Sequence, residues 1–219
     1  MGGQLNLVVL GKQGAGKGTQ SARLAERFHL AHIATGDILR AAVKNETPLG
    51  LEVKSIMDAG ELVSDELVIK LVEERFQAPD AANGGLLDGF PRTLAQAEAL
   101  EALLGRDGVK LCINLDVPIE LVTQRLSSRR VCQDCATNYR DTDESAVTGV
   151  CAKCGGTVIQ RSDDRPEAIR QRLEFYERDT APLLDFYESR GLLVTVDGDQ
   201  SPDDVTNDIV TFMTARGLT

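Results

Sequence analysis

Tryptophan is absent from this 219-residue chain, and only 3 Tyr and 6 Phe are present. Its core must therefore be aliphatic. Positive charge is also scarce: 24 Lys and Arg stand against 34 Asp and Glu, a net charge of −10. A surface of that sign repels nucleic acid and anionic membranes, so neither is expected as a partner. No apolar run approaches the roughly 20 residues needed to cross a bilayer. The start, Met1-Gly2-Gly3-Gln4, has no basic stretch and leads directly toward a strand. No secretory signal is expected there, and Gly2 reads as a poor acylation site. Internal repeats and low-complexity linkers are missing as well. The length suits one sizeable α/β domain with insertions.

What is present begins with Gly11-Lys12-Gln13-Gly14-Ala15-Gly16-Lys17-Gly18-Thr19. An apolar run, Leu5–Leu10, leads into it, and a helix-like run, Gln20–Phe28, leaves it. Strand, glycine-rich turn and helix make the context of a phosphate-binding loop. Glycines let successive backbone N–H groups converge on one concavity, and the N-terminus of the following helix adds partial positive charge. Lys17 is spaced to reach the outer phosphates of a nucleoside triphosphate. A strand-to-helix turn with incidental glycines is the competing reading, and it fits this context poorly. The residue after the lysine ordinarily gives a hydroxyl to Mg²⁺, but here it is Gly18. The metal must then be held by phosphates, water and a carboxylate from elsewhere. This favours a small phosphotransferase over a GTPase or motor.

Further along, His32–Arg40 reads as a short strand turning into a helix, with Thr35 and Asp37 as possible caps. Helix is expected to about Asn45, then Pro48 and Gly50 as punctuation. A second helix follows over Leu51–Ala59, closed by Gly60. Ser64 reads as a cap, Asp65 and Glu66 as dipole partners, and Asp65–Phe76 as a helix. Leu86-Leu87-Asp88 reads as a buried strand running into Gly89-Phe90-Pro91-Arg92-Thr93. Ligands of open α/β sheets lie beyond the carboxyl ends of strands, so Asp88 and Arg92 project toward the phosphate loop. Next come helix Thr93–Leu104, strand Val109–Leu115 and a helix from Pro118 through Arg130. A long helix is expected from Pro166 to about Asp179 and another from Pro182. Strand Leu192–Val196 and a helix begun by Ser201-Pro202 complete the chain. The fold class is α/β: about five parallel strands, with helices on both faces.

Five cysteines are present. Cys132-x2-Cys135 and Cys151-x2-Cys154 have the spacing of two metal-binding knuckles. Zinc or another soft metal fits that pattern, and zinc is not distinguished from iron by it. Disulfides or free thiols are the competing readings. The segment between the knuckles is polar, lacks helical period and reads as small and β-rich. Cys112 lies in an apolar run and reads as a buried hydrophobe.

In this order the motifs resemble those of the adenylate kinases, in the long form with a zinc-bearing lid. The resemblance covers the whole chain. It rests on Gly11–Gln20, Thr35–Arg40, Gly60–Val63, Leu87–Thr93 with Gln96, Arg125, Arg129-Arg130, the four paired cysteines, Arg161–Asp164, Arg170–Leu173 and Val196–Gly198. It implies reversible Mg²⁺-dependent transfer between ATP and AMP, giving two ADP, by a cytoplasmic monomer. It also implies a P-loop core over 1–33, 64–127 and 165–219, an AMP-binding insertion at 34–63 and a zinc-binding lid at 128–164. Gly14, Ala15, Gly16, Lys17, Gly18 and Thr19 would bind the ATP phosphates. Arg125, Arg129, Asn138, Tyr139 and Gln200 would complete the ATP site, with Arg125 stacked on the base. Thr35, Arg40, Glu61, Leu62, Val63, Gly89, Phe90, Pro91, Arg92 and Gln96 would form the AMP site, with Gln96 reading adenine. Arg161 and Arg172 would join it from the lid and its hinge. Lys17, Arg92, Arg129, Arg161 and Arg172 would be the catalytic cations, and Asp88 would hold Mg²⁺ through water. The Phe90-Pro91 bond would be cis.

These cations, with Arg40, would repel one another in an empty site, which favours closure driven by ligand. Gln13, Ala34 and Ser64 depart from the family's usual residues, none at an expected phosphate ligand. The competing readings are another nucleoside monophosphate kinase and a zinc-ribbon binding module on a regulatory NTPase. The acidic charge and sparse aromatics argue against the second.

Overall fold

The computed structural model describes residues 4–219, so the expectation about Gly2 falls outside the described residues. Five strands form the central sheet: β1 (Leu7–Leu10), β2 (Ala31–Ala34), β3 (Gly85–Asp88), β4 (Leu111–Asp116) and β8 (Leu193–Asp197). They are all parallel, in the order β2-β3-β1-β4-β8. All four residues of β1 are buried. Its alternate side chains go to opposite faces. Leu7 and Val9 join one core with Leu24, Ile113, Ile209 and Met213. Val8 and Leu10 join the other with Ile33, Leu87, Leu100 and Tyr187. Two buried faces explain why this strand reads as an unbroken apolar run.

Crossover helices cover those faces: α1 (Lys17–Phe28), α4 (Asp65–Phe76), α5 (Leu94–Leu104), α6 (Ile119–Ser127), α8 (Pro166–Phe175), α9 (Pro182–Glu188) and α10 (Pro202–Ala215). Two excursions leave this scaffold. One is the helical pair α2 (Thr35–Lys44) and α3 (Pro48–Ala59). The other is an antiparallel sheet of β5 (Arg129–Cys132), β6 (Asn138–Arg140) and β7 (Val158–Ile159), carrying the short helix α7 (Glu144–Thr148).

Several local expectations need correction. Thr35 is the first residue of α2 rather than its cap, and its hydroxyl donates to the Gly89 carbonyl at 3.0 Å. The helix expected from Leu51 begins at Pro48, with Thr47 Oγ1 accepting from Gly50 N at 3.1 Å. Gly50 lies inside that helix because α2 passes against it. A Cβ at Gly50 would overlap the Ala42 carbonyl. Ser64 precedes α4 but makes no side-chain cap. The helix expected through Arg130 stops at Ser127, and Arg129–Cys132 pairs as a strand with both β6 and β7. The polar inter-knuckle stretch contains α7, which its lack of period concealed.

The long helix from Pro166 changes to a π-helical turn at Tyr176–Thr180. Pro182 follows at once and has no N–H to continue the ladder. That turn buries Thr180, whose hydroxyl donates to the Arg92 carbonyl at 2.9 Å. The Phe90-Pro91 bond is cis, as expected.

Candidate active site

The loops at the carboxyl ends of β1, β2 and β3 and the antiparallel excursion enclose a cleft with two cavities. Gly14, Ala15, Gly16, Lys17, Gly18 and Thr19 all line the larger one. Gly16, at φ 99°, precedes α1 in a conformation that disfavours a side chain, and α1 starts at the cleft with Lys17. Lys17 folds back across this loop. Its Nζ donates to the Gly11 carbonyl at 2.6 Å and the Lys12 carbonyl at 3.0 Å. Burial pushes its ammonium down to about 8, Asp88 opposes that, and Arg92, Arg172 and Arg129 push it further down.

Asp88 ends β3 and lies opposite the phosphate loop. A Cβ at Gly18 would sit 3.4 Å from Asp88 Oδ2, so the missing side chain at 18 leaves the carboxylate facing the loop. Burial alone would raise Asp88, but His32, Lys17 and Arg92 hold it below the ordinary carboxylate range. His32 Nε2 stands 3.7 Å from Oδ2. Sequence reasoning overlooked His32, although it occupies β2, whose carboxyl end opens on the cleft.

The larger cavity also receives Arg125, Arg129, Asn138, Tyr139, Arg161 and Gln200. Thr35, Arg40, Glu61, Leu62, Val63, Gly89, Arg92 and Gln96 line the smaller one. Phe90 and Pro91 are buried behind that wall and do not line it, and Arg161 faces the larger cavity instead. Arg40, Arg92 and Arg172, with Gly36 and Gly89, line both cavities.

The cations crowd as the sequence suggested, with Lys17, Arg92 and Arg161 lowered by burial and then by neighbouring arginines, and carboxylates offset part of that repulsion. Arg129 Nε donates to Asp164 Oδ2 at 2.8 Å, with Nη2 on Oδ1. Arg172 Nη1 lies 3.1 Å from Asp163 Oδ2 and 3.5 Å from Asp164 Oδ1. Arg40 pairs with Asp37. Asp163 is desolvated, yet Arg172, Arg40, Arg129 and Arg161 hold its carboxyl below the usual range. Arg92 and Arg161 are each pushed down to about 10, chiefly by burial and then by neighbouring arginines. Asp163 and Asp164 follow Arg161 in the sequence, so their adjacency was the one available signal of this role.

The four knuckle sulfurs lie within 4.8 Å of one another. Cys132 and Cys154 Sγ are 3.5 Å apart, and Cys135 and Cys151 Sγ are 3.6 Å apart. Thiolates held tetrahedrally at ~2.3 Å from an ion stand roughly 3.8 Å apart, so the cluster fits a four-sulfur metal centre. The Tyr139 hydroxyl lies 3.1 Å from Cys151 Sγ. It is the foremost influence lowering that thiol to about 6. Tyr139 therefore belongs to the cysteine cluster as well as to the cavity wall. Cys112 is wholly buried, and desolvation raises its thiol well above the ordinary value.

The family model for adenylate kinase matches residues 9–192. The chain is 51% identical over 204 residues to an adenylate kinase of Carboxydothermus hydrogenoformans, covering 92% of this chain and 95% of that one. It is 50% identical over 208 residues to an adenylate kinase of Bacillus velezensis, covering 94% and 96%. One from Lactobacillus gasseri is 48% identical over 209 residues, covering 94% and 96%.

The chain belongs to the adenylate kinase family. It is a phosphotransferase that interconverts ATP plus AMP and two ADP. The P-loop, its parallel sheet and the paired cavities are the structural counterpart of that family membership. Among the described residues, no helix is long and apolar enough to cross a membrane.

Proposed function

We propose that the larger cavity takes ATP, the smaller takes AMP, and the phosphoryl group passes where they meet. The observation that carries this reading is the shared wall. Arg40, Arg92 and Arg172 are the charged side chains common to both cavities, at the point where phosphates from two nucleotides would face each other. Phosphoryl transfer depends on positioning and charge neutralisation more than on covalent chemistry.

Gly14–Thr19 hold the ATP phosphates, and Lys17 exchanges its loop carbonyls for phosphate oxygens. Arg125, Asn138, Tyr139 and Gln200 surround the rest of ATP. Arg125 is steadied by a 3.1 Å hydrogen bond to the Gly198 carbonyl. Thr35, Arg40, Glu61–Val63, Gly89, Arg92 and Gln96 bind AMP, with Phe90 and Pro91 supporting the wall from behind. An AMP phosphate oxygen attacks the γ-phosphorus, and ADP leaves from the other side. Lys17, Arg92, Arg129, Arg161 and Arg172 neutralise the charge that spreads over the transferring oxygens. Mg²⁺ bound with ATP would supply further neutralisation, and Asp88, its carboxyl held below the usual range and facing Gly18, would be the residue to hold it.

The segments 34–63 and 128–164 act as movable covers on the 1–33, 64–127 and 165–219 core. Their closure excludes water that would otherwise hydrolyse ATP. Zinc on Cys132, Cys135, Cys151 and Cys154 is structural, because four thiolates fill the tetrahedral shell. One chain supplies the whole cleft, which supports a monomer. Unbonded paired thiols support the cytoplasm. The net charge of −10 speaks against a nucleic-acid or membrane partner.

A coupled assay of ADP formation tests the acceptor assignment. AMP is expected to be used far better than CMP, UMP or GMP. Equal or better turnover with another monophosphate overturns it.

A further inference from the structure

We infer that Asp65 is a specificity-determining positioning residue, fixing the Gln96 amide in the one orientation that accepts adenine and rejects a 6-oxopurine. The inference rests on the proposed reading of adenine by Gln96. Gln96 is 2% exposed, yet it contributes to the wall of the smaller cavity. Both ends of its amide are engaged. Oε1 accepts from the Arg92 backbone N–H at 2.7 Å, and Nε2 donates to Asp65 Oδ1 at 2.7 Å. Asp65 stands behind Gln96, at the start of α4.

The carboxylate is itself fixed. Its Oδ2 accepts from Thr93 Oγ1 at 2.8 Å, and Thr93 Oγ1 accepts from Gln96 N at 3.2 Å as the cap of α5. The hydroxyl proton is thus committed to Asp65. An ionised carboxylate only accepts, and a backbone N–H only donates. Turning the Gln96 amide over would set Oε1 against the carboxylate and the NH₂ group against the Arg92 N–H. Two hydrogen bonds would become two repulsions.

In the fixed orientation one Nε2 hydrogen and one Oε1 lone pair remain for a ligand. Adenine presents an acceptor at N1 and a donor at its 6-amino group, which match both. Hypoxanthine and guanine present a donor at N1 and an acceptor at O6, which match neither. Discrimination therefore resides less in glutamine, whose amide alone could serve either edge, than in the acid that, together with the Arg92 N–H, forbids it to turn. Inosine monophosphate is the clean probe, because it reverses this edge without guanine's 2-amino group.

The test is kcat/KM for AMP and for inosine monophosphate in the wild type, Asp65→Asn, Asp65→Ala and Gln96→Ala, with melting curves to check folding. Asn is nearly isosteric with Asp but can donate as well as accept, so it removes one of the two restraints on the amide and leaves the Arg92 N–H as the other. Ala removes the acceptor altogether. Either change should narrow the AMP-to-inosine monophosphate preference by about tenfold or more, through KM for the acceptor, with KM for ATP unchanged. A preference kept in both Asp65 variants but lost in Gln96→Ala overturns the lock and leaves the adenine reading intact. A preference kept in Gln96→Ala overturns both. A general loss of turnover with both acceptors, at constant preference, marks Asp65 as merely structural and also overturns the proposal.

Discussion

Arg129 grips Asp164 through two parallel hydrogen bonds, one of them 2.8 Å from Nε to Oδ2, and Asp164 is fully buried. Arg172 reaches the same carboxylate from α8 at 3.5 Å. One enclosed acid thus ties the first strand of the small antiparallel sheet to the central helices and spaces two cations facing the cleft.

Asp164→Ala should leave Arg129 without its carboxylate, while Arg172 keeps Asp163 at 3.1 Å. Removing one member of a buried ion pair costs about 3–5 kcal/mol. In a chain of this length each kcal/mol lowers the melting temperature by roughly 2–4 °C. A clear fall in melting temperature and in kcat is expected. An unchanged melting temperature would show that Asp164 carries no such burden.

Lys17 should make the free protein's affinity for ATP proton-linked. Its ammonium is pushed down to about 8 from 10.5 by burial, so at pH 8.5 a large share is neutral. Triphosphate charge favours the protonated form, so ATP binding should take up protons between about pH 8 and 10.5. Stability follows the same sign. Over that window the unfolded chain binds more protons than the folded one, so this residue's contribution rises with pH. Calorimetry at pH 8.5 in buffers of different ionisation enthalpy reads the uptake. Lys17→Met should abolish most of it, and equal uptake in the variant would refute the linkage.

Arg92→Ala should lower kcat by about 10²–10³-fold while the fold persists. The guanidinium lies on the wall shared by the two cavities, and its recorded hydrogen bond is a 2.8 Å contact from Nε to the Gly89 carbonyl. Near-normal steady-state kinetics in a protein of wild-type melting temperature would remove Arg92 from the transferring site.

Elemental analysis of the purified protein should find about one equivalent of zinc. Cys132→Ser, or removal with a chelator, should lower the melting of the 128–164 segment while activity stays measurable at low temperature. A well-folded, metal-free variant with no activity at any temperature would contradict a purely structural ion.

Much of the site was legible because its chemistry is local. Gly14–Thr19 are consecutive, and the four cysteines announce themselves by spacing. Asp88 and Arg92 flank one turn, and all of these line the cleft or the cluster where expected. Local signals failed where distant chain overrode them. Thr35 looks like a cap but gives its hydroxyl to Gly89, 54 residues away. Asp65 does stand in the first turn of its own helix, but its carboxylate also accepts from Thr93 and Gln96, which no local signal showed. Gly50 looks like a helix breaker, yet it lies within α3 because α2 leaves no room for a side chain.

The sequence by itself determined the alternation of strand and helix, the phosphate loop and the paired cysteines. Each depends on backbone conformation and spacing within a few residues. Tertiary structure decided which charges meet. The chain lists six expected cations, but only folding interleaves them with Asp88, Asp163 and Asp164. It also decided that Lys17 rests on its own loop and that the Gln96 amide has one available face. Arg129 and Asp164 lie 35 residues apart and Gln96 and Asp65 lie 31 apart, and no local pattern encodes such distances.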